Sequence, residues 1–146
     1  SMHYMRVREN DMYFCKVAPI AGLAQGNDLI VIGEDWVWKE YYTRYTAVET
    51  LSMARLAVGR SGESLALDVR ERIEARRWEG GWVWITEEAV EMGYIEDDGE
   101  AEALREILWD ELRPDWRTID FSVQEAYVLW PLSPGEAIEK TTRIVQ

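Results

Sequence analysis

Residues 86–125 hold fourteen carboxylates (Glu87, Glu88, Glu91, Glu96, Asp97, Asp98, Glu100, Glu102, Glu106, Asp110, Glu111, Asp115, Asp120 and Glu125) against Arg105, Arg113 and Arg117, a net charge of −11. Unpaired carboxylates are too costly to bury. The stretch must therefore put its acids on a solvated surface and turn only its intervening apolar residues inward. The rest of the chain is more balanced. Residues 1–60 carry seven basic and seven acidic side chains, and residues 61–146 carry nine and twenty-one. The whole excess of −12 over 146 residues thus lies in the second part.

That field bears on partners. A dense negative surface repels nucleic acid phosphates and anionic lipid, so direct nucleic acid or membrane binding here is disfavoured. It attracts basic surfaces and speeds encounter with them. The plainer alternative is a solvated face that keeps the protein in solution. With 47% hydrophobic and 12% aromatic residues the chain can bury a core. One cysteine, Cys15, excludes an internal disulfide. No apolar run reaches the roughly 18–20 residues of a membrane span, and no signal peptide is visible, so reducing cytosol is the expected compartment. Ser1-Met2 reads as a cleavage scar and start Met, leaving 3–146 as one domain.

Local patterning gives an expected order of elements. Residues 3–18 alternate around Asn10-Asp11 and predict a hairpin ending at Pro19. The Gly- and Ala-rich residues 19–27 predict a loop. The apolar run of residues 28–32, the break at Gly33-Glu34-Asp35 and the aromatic residues 36–42 predict a second hairpin. Thr46-Ala-Val-Glu49 has capping-box form and predicts a helix from Thr46 to Val58, closed by Gly59. A second helix follows over 63–78, its core stripe Leu65, Val69 and Ile73, its end at Gly80-Gly81.

Residues 82–85 predict a strand, and Thr86 predicts the cap of a helix through Met92 with Glu87 and Glu88 in its first turn. Asp97 or Asp98 begins the next helix, with Leu104, Ile107, Leu108 and Leu112 inward and Pro114 beyond its end. Residues 118–130 read as a strand, and Ser133-Pro-Gly-Glu136 as the start of a last helix. The expected class is α+β: N-terminal hairpins forming a mostly antiparallel sheet packed by about five short helices, with an acidic helical region at about 86–120.

No catalytic motif emerges. His3 is the single histidine and sits beside the chain start, poorly placed for a triad or a metal site. Cys15 falls in a strand pattern, where free cysteine usually acts as a small hydrophobe. Gly22-Leu-Ala-Gln-Gly26 lacks the Lys-Ser/Thr of a phosphate loop. No cofactor is called for, and no metal. Glu102, Glu106 and Asp110 stand in one row at i, i+4, i+8, but a divalent cation needs carboxylates converging from more than one element. Trp36/Trp38 and Trp82/Trp84 are i, i+2 pairs, each on one face of a strand. They are either core or an aromatic pocket or interface hot spot. Arg70, Arg72, Arg76 and Arg77 interleave with Glu71, Glu74 and Glu79. That pattern suits pairing within the helix surface, or the acidic region of a second copy in a homodimer.

The expected function is an acidic inhibitor that blocks a basic, nucleic-acid-binding partner by charge complementarity. Its partner-binding set is Glu87, Glu88, Glu91, Glu96, Asp97, Asp98, Glu102, Glu106 and Asp110. In composition the chain is similar to anti-restriction, anti-CRISPR and toxin-immunity proteins, a likeness that covers no motif. One alternative is an immunity or antitoxin protein neutralising a basic toxin. A second, of another class, is a small carboxylate enzyme with Glu34 and Asp35 beside the Trp-lined pocket.

Overall fold

A computed structural model describes residues 24–33, 48–60, 62–118, 125–129 and 131–132. The hairpin expected at 3–18, the aromatic strand at 36–42, Thr46, residues 119–124 and the final helix from Ser133 lie outside the described residues, as do His3, Cys15, Glu34, Asp35, Trp36 and Trp38.

Five short strands form one sheet: β1 (Leu29–Ile32), β2 (Glu49–Ser52), β3 (Val83–Thr86), β4 (Asp115–Thr118) and β5 (Glu125–Leu129), in the order β2-β1-β3-β5-β4. The class is α+β as expected, but the sheet is mixed, not mostly antiparallel. β2, β1 and β3 run parallel, whereas β3 pairs with β5 and β5 with β4 antiparallel. The hairpin reading assumed that strands close in sequence pair as a hairpin. Instead β1 and β3 are parallel neighbours 50 residues apart, with Leu29 opposite Val83 and Val31 opposite Ile85. The run Leu-Ile-Val-Ile is apolar at every position because β1 is buried at every position, the signature of a central parallel strand.

The helices are α1 (Met53–Leu56), α2 (Gly62–Trp78), α3 (Glu87–Glu91), α4 (Asp98–Ile107) and α5 (Trp109–Leu112). The helix expected at Thr46–Val58 is corrected: residues 49–52 are strand β2, and among the described residues of that stretch Met53–Leu56 alone is helical. Ser52 caps that turn, its hydroxyl accepting from the Arg55 amide at 3.3 Å. Pairing with β1 along Ile30–Thr50 and Val31–Leu51 outweighs the local capping-box signal. The helix ends at Leu56 with Ala57 as its C-cap, three residues before Gly59, which takes a left-handed φ of +69° in the turn that follows. The single strand expected over 118–130 is two antiparallel strands, β4 and β5.

Alternation along the strands separates two faces. Leu29, Val31, Leu51, Val83, Ile85 and Leu129 face the helices and share one core with Leu65, Val69 and Ile73 of α2 and with Ala101, Leu104 and Leu108. The other parity, a row running Thr50–Ile30–Trp84–Val128 across the sheet, is buried as well.

Two glycines set how closely the layers approach. A Cβ on Gly33, at the end of β1, would lie 2.5 Å from the backbone carbonyl of Glu88 in α3. A Cβ on Gly81 would lie 2.1 Å from the Asn27 carbonyl oxygen. Backbone cannot yield as a flexible side chain does, so any side chain pushes the elements apart. Gly33→Ala is expected to lower unfolding free energy by at least about 2 kcal/mol. Gly26→Ala, which meets nothing within 4 Å, is expected to change it by less than about 0.5 kcal/mol. Urea denaturation of the two variants checks the contrast.

Candidate functional site: an acidic helical layer

The acidic stretch folds as α3, α4 and α5 on the helix-bearing side of the sheet. Each helix is built from ordinary capping and dipole physics. Glu87 and Glu88 lie in the first turn of α3, where a helix dipole favours negative charge. Thr86 precedes α3 as expected, but its side chain makes no capping hydrogen bond. Met92, with φ of 61°, ends α3 one residue before the expected Gly93. Asp97 is the N-cap of α4, its Oδ1 accepting from the Glu100 amide at 2.9 Å. Ala101 and Leu104 turn inward.

The helix expected to run on to Leu112 breaks at Leu108, which is itself wholly buried, and resumes as α5. The row Glu102, Glu106, Asp110 therefore crosses a break, although all three stay exposed. Glu87, Glu91, Glu96, Asp97, Asp98 and Glu100 are exposed too, and Glu88 is half-buried.

Two arginines tie the layer together. Arg105 pairs with Glu102 at 3.1 Å and donates to the Glu91 carbonyl at 3.3 Å, placing a cation at the C-terminal end of α3. Arg70 of α2 reaches Glu111 of α5 at 3.8 Å. Tyr94 donates its hydroxyl to the Ala89 carbonyl at 2.8 Å, and burial pushes its phenol well above the usual range, opposed in part by Arg105. Glu91, Glu96, Asp98, Glu100, Glu106 and Asp110 have no cationic partner among the described residues. No group of three or more His, Cys, Asp or Glu among the described residues converges as a metal site. The acids fan outward and do not point at a common centre.

The Trp82/Trp84 pair has a different fate. Trp82 and Trp84 are 0% exposed and stacked on each other, ring centroids 5.1 Å apart and planes 20° apart. Of the two readings offered by the spacing, core is the one realised, and neither ring lines an open pocket or a surface. Their anchor was not singled out from sequence. Asp28 is wholly buried, and its carboxylate accepts from the amides of Gln25 (2.9 Å) and Trp82 (3.0 Å) and from the Trp84 indole nitrogen (3.2 Å). The available signal was a lone Asp directly before a wholly apolar strand. Asp28→Ala strands these donors at roughly 1–3 kcal/mol each. A loss of at least about 3 kcal/mol in urea denaturation, with a changed Trp emission spectrum, is the expected outcome.

The arginine cluster on α2 is engaged within the chain. Arg72 pairs with Asp68 at 3.1 Å and Arg77 with Glu74 at 3.4 Å. Arg76 pairs with Glu49 and donates to the Asp28 carbonyl at 3.2 Å. A cavity of about 190 Å³ lies beside it, lined by Leu29, Glu49, Leu51, Arg72, Ala75, Arg76 and Glu79. Both signs of charge line that cavity, and the Arg76 guanidinium is already committed to its neighbours. No helix among the described residues is long and apolar enough to cross a membrane. Comparison with family models, with curated proteins and with solved structures finds no match to this chain.

Hydrogen bonds from Arg60 and then Arg72 hold the Asp68 carboxyl below its ordinary value of 3.8. A carboxylate depressed in the folded state stabilises above its unfolded pKa and loses that contribution as pH falls through the folded value. Asp68→Asn is therefore expected to flatten the acid side of the stability–pH curve below about pH 4, leaving its shape near neutrality unchanged. Denaturation midpoints of both proteins across that range check the sign.

Proposed function

We propose that the acidic helical layer binds a basic protein surface, and that the protein acts as an inhibitor by covering that surface. The observation that carries this reading is the combination of exposure and missing counter-charge. Along α3, α4 and α5 most of the carboxylates face solvent, and Glu91, Asp98, Glu100, Glu106 and Asp110 have no cationic partner among the described residues. A field of that sign and density selects a cationic partner and raises the rate of encounter with it. The surfaces that carry matching positive charge in a confined groove are typically those that bind nucleic acid. Occupying such a groove would exclude its phosphate ligand. A basic toxin neutralised by the same face obeys the same physics, and the identity of the captured partner separates the two cases.

The test is capture of host proteins at about 100 mM salt and again at about 500 mM, where screening shortens the reach of surface charge. Glu102, Glu106 and Asp110, all changed to Lys, provide the control. A nucleic-acid-processing protein or nuclease retained at low salt, released at high salt and lost with the triple variant is the expected result. Direct inhibition of that partner's activity completes it. Equal capture by the triple variant would leave the acidic face as solvation alone.

A further inference from the structure

We infer that the outward face of α2 supplies the apolar anchor of this interaction, with Trp78 and Leu67 entering a basic partner surface that presents arginine or lysine beside an apolar pocket. The inference rests on the acidic-layer reading above and adds a second contact region with its own chemistry.

Core contacts fix which way α2 faces. Leu65, Ala66, Val69 and Ile73 are buried, so the opposite side of the helix carries Glu63, Leu67, Glu71 and Trp78. Leu67 and Trp78 are eleven residues apart, which returns them to nearly the same angle about 16 Å apart along the axis. Both are open to solvent, Leu67 at 53% and Trp78 at 69%. Trp78 is unlike the other described Trp side chains, since Trp82, Trp84 and Trp109 are all buried. An indole left in water forgoes the burial it would gain at an interface, where Trp is the side chain most often found to dominate binding.

The same face adjoins the acidic layer. Gly62, at the start of α2, lies beside the Glu100 carbonyl of α4 (3.8 Å from an added Cβ), and Arg70 pairs with Glu111 of α5. The α4–α5 segment therefore runs beside the stretch of α2 from Gly62 to Arg70 in the same direction; Leu67 lies on that stretch, and Trp78 lies about two turns beyond it. Glu63 and Glu71 flank Leu67 and are exposed, and the arginines next to Trp78, Arg76 and Arg77, already pair with Glu49, Glu79 and Glu74. That arrangement selects the occupant. A second copy of this chain, at −12, would bring like charge against it. A cationic protein surface matches the carboxylates, and its guanidinium or ammonium groups gain further by lying over the indole face.

Two synthetic peptides of equal arginine content serve as probes, one a helix with leucine along one side, the other spaced by glycine and serine. Fluorescence anisotropy is measured on the native protein, on Leu67→Ser/Trp78→Ser and on the triple lysine variant at Glu102, Glu106 and Asp110. Both changed sites in the double variant are exposed, so an unaltered melting temperature is expected and is checked first. The leucine-bearing peptide is expected to bind the native protein at least about tenfold more tightly than the spaced one. The double variant should lose that preference and keep its affinity for the spaced peptide, while the triple variant should weaken both.

Equal affinity of the native protein for the two peptides, or a preference that survives in the double variant, overturns the anchor while leaving the acidic reading intact. Failure of both peptides to bind the native protein overturns both. A native dimer in light scattering that the double variant dissolves would give the face to a second copy and would also overturn the assignment.

Discussion

A buried carboxylate joins the pieces that the rest of the structure is assembled on. Asp28 sits directly before β1 and accepts from the Trp82 amide and the Trp84 indole. It thus ties the two central parallel strands, which are separated by half a hundred residues of chain, at one end of their ladder. Arg76, near the C-terminal end of α2, donates to the carbonyl of the same Asp28 and pairs with Glu49 on β2. One short region therefore sets strand register, helix position and the seating of the stacked Trp pair. Gly81 makes that closeness possible, because its missing side chain lets the chain entering β3 pass against Asn27. Buried carboxylates are tolerated only when hydrogen-bonded on all sides. The arrangement is for that reason all-or-nothing, and the layers above inherit their spacing from it.

Much of this was legible from residue order, and the failures share one cause. Helix α2 was readable because Leu65, Val69 and Ile73 mark one stripe and glycines follow its end. The Asp97 cap and the inward Leu104 were readable because capping and amphipathic spacing are local. Strand β2 was not, since Thr46-Ala-Val-Glu49 offers a good local helix start and the pairing that overrides it lies with Ile30 and Val31, across the chain. The antiparallel expectation failed the same way. A hairpin is the cheapest guess for two neighbouring apolar runs, and the clue against it was the unbroken burial pattern of Leu29–Ile32.

At the candidate site the sequence marked the charge but not its company. Of the nine expected acidic residues eight are exposed and Glu88 is half-buried; Glu96 and Asp97 lie between α3 and α4, and the rest lie on α3, α4 and α5. Trp82, which immediately precedes β3, stacks on Trp84 within it. Spacing cannot say whether such a pair meets solvent or another layer, and here it is buried. Trp78 escaped notice for the converse reason. It lies at the last position of a helix, among charged neighbours, and only the three-dimensional packing reveals that the core stripe leaves it outside.

The acidic layer also bears a cost that solubility does not require. Like charges at i, i+4 destabilise a helix by a few tenths of a kcal/mol, and α4 carries such a pair in Glu102 and Glu106. Dispersing the same charges over all surfaces would keep the protein equally soluble with less mutual repulsion. The fold instead concentrates them, and it counters the strain with packing: Leu104 and Leu108 are wholly buried beneath the layer, Asp97 caps α4, and Arg105 bridges α3 to α4. A helix held down by its core can carry unbalanced charge that an isolated helix could not. The field is thereby held rigidly on the outside of α4, alongside the first half of α2, where Leu67 is open to solvent. On the proposed reading, that charge would bring a cationic partner to the layer from a distance, and the exposed apolar side chains of α2 would discriminate among the partners so delivered.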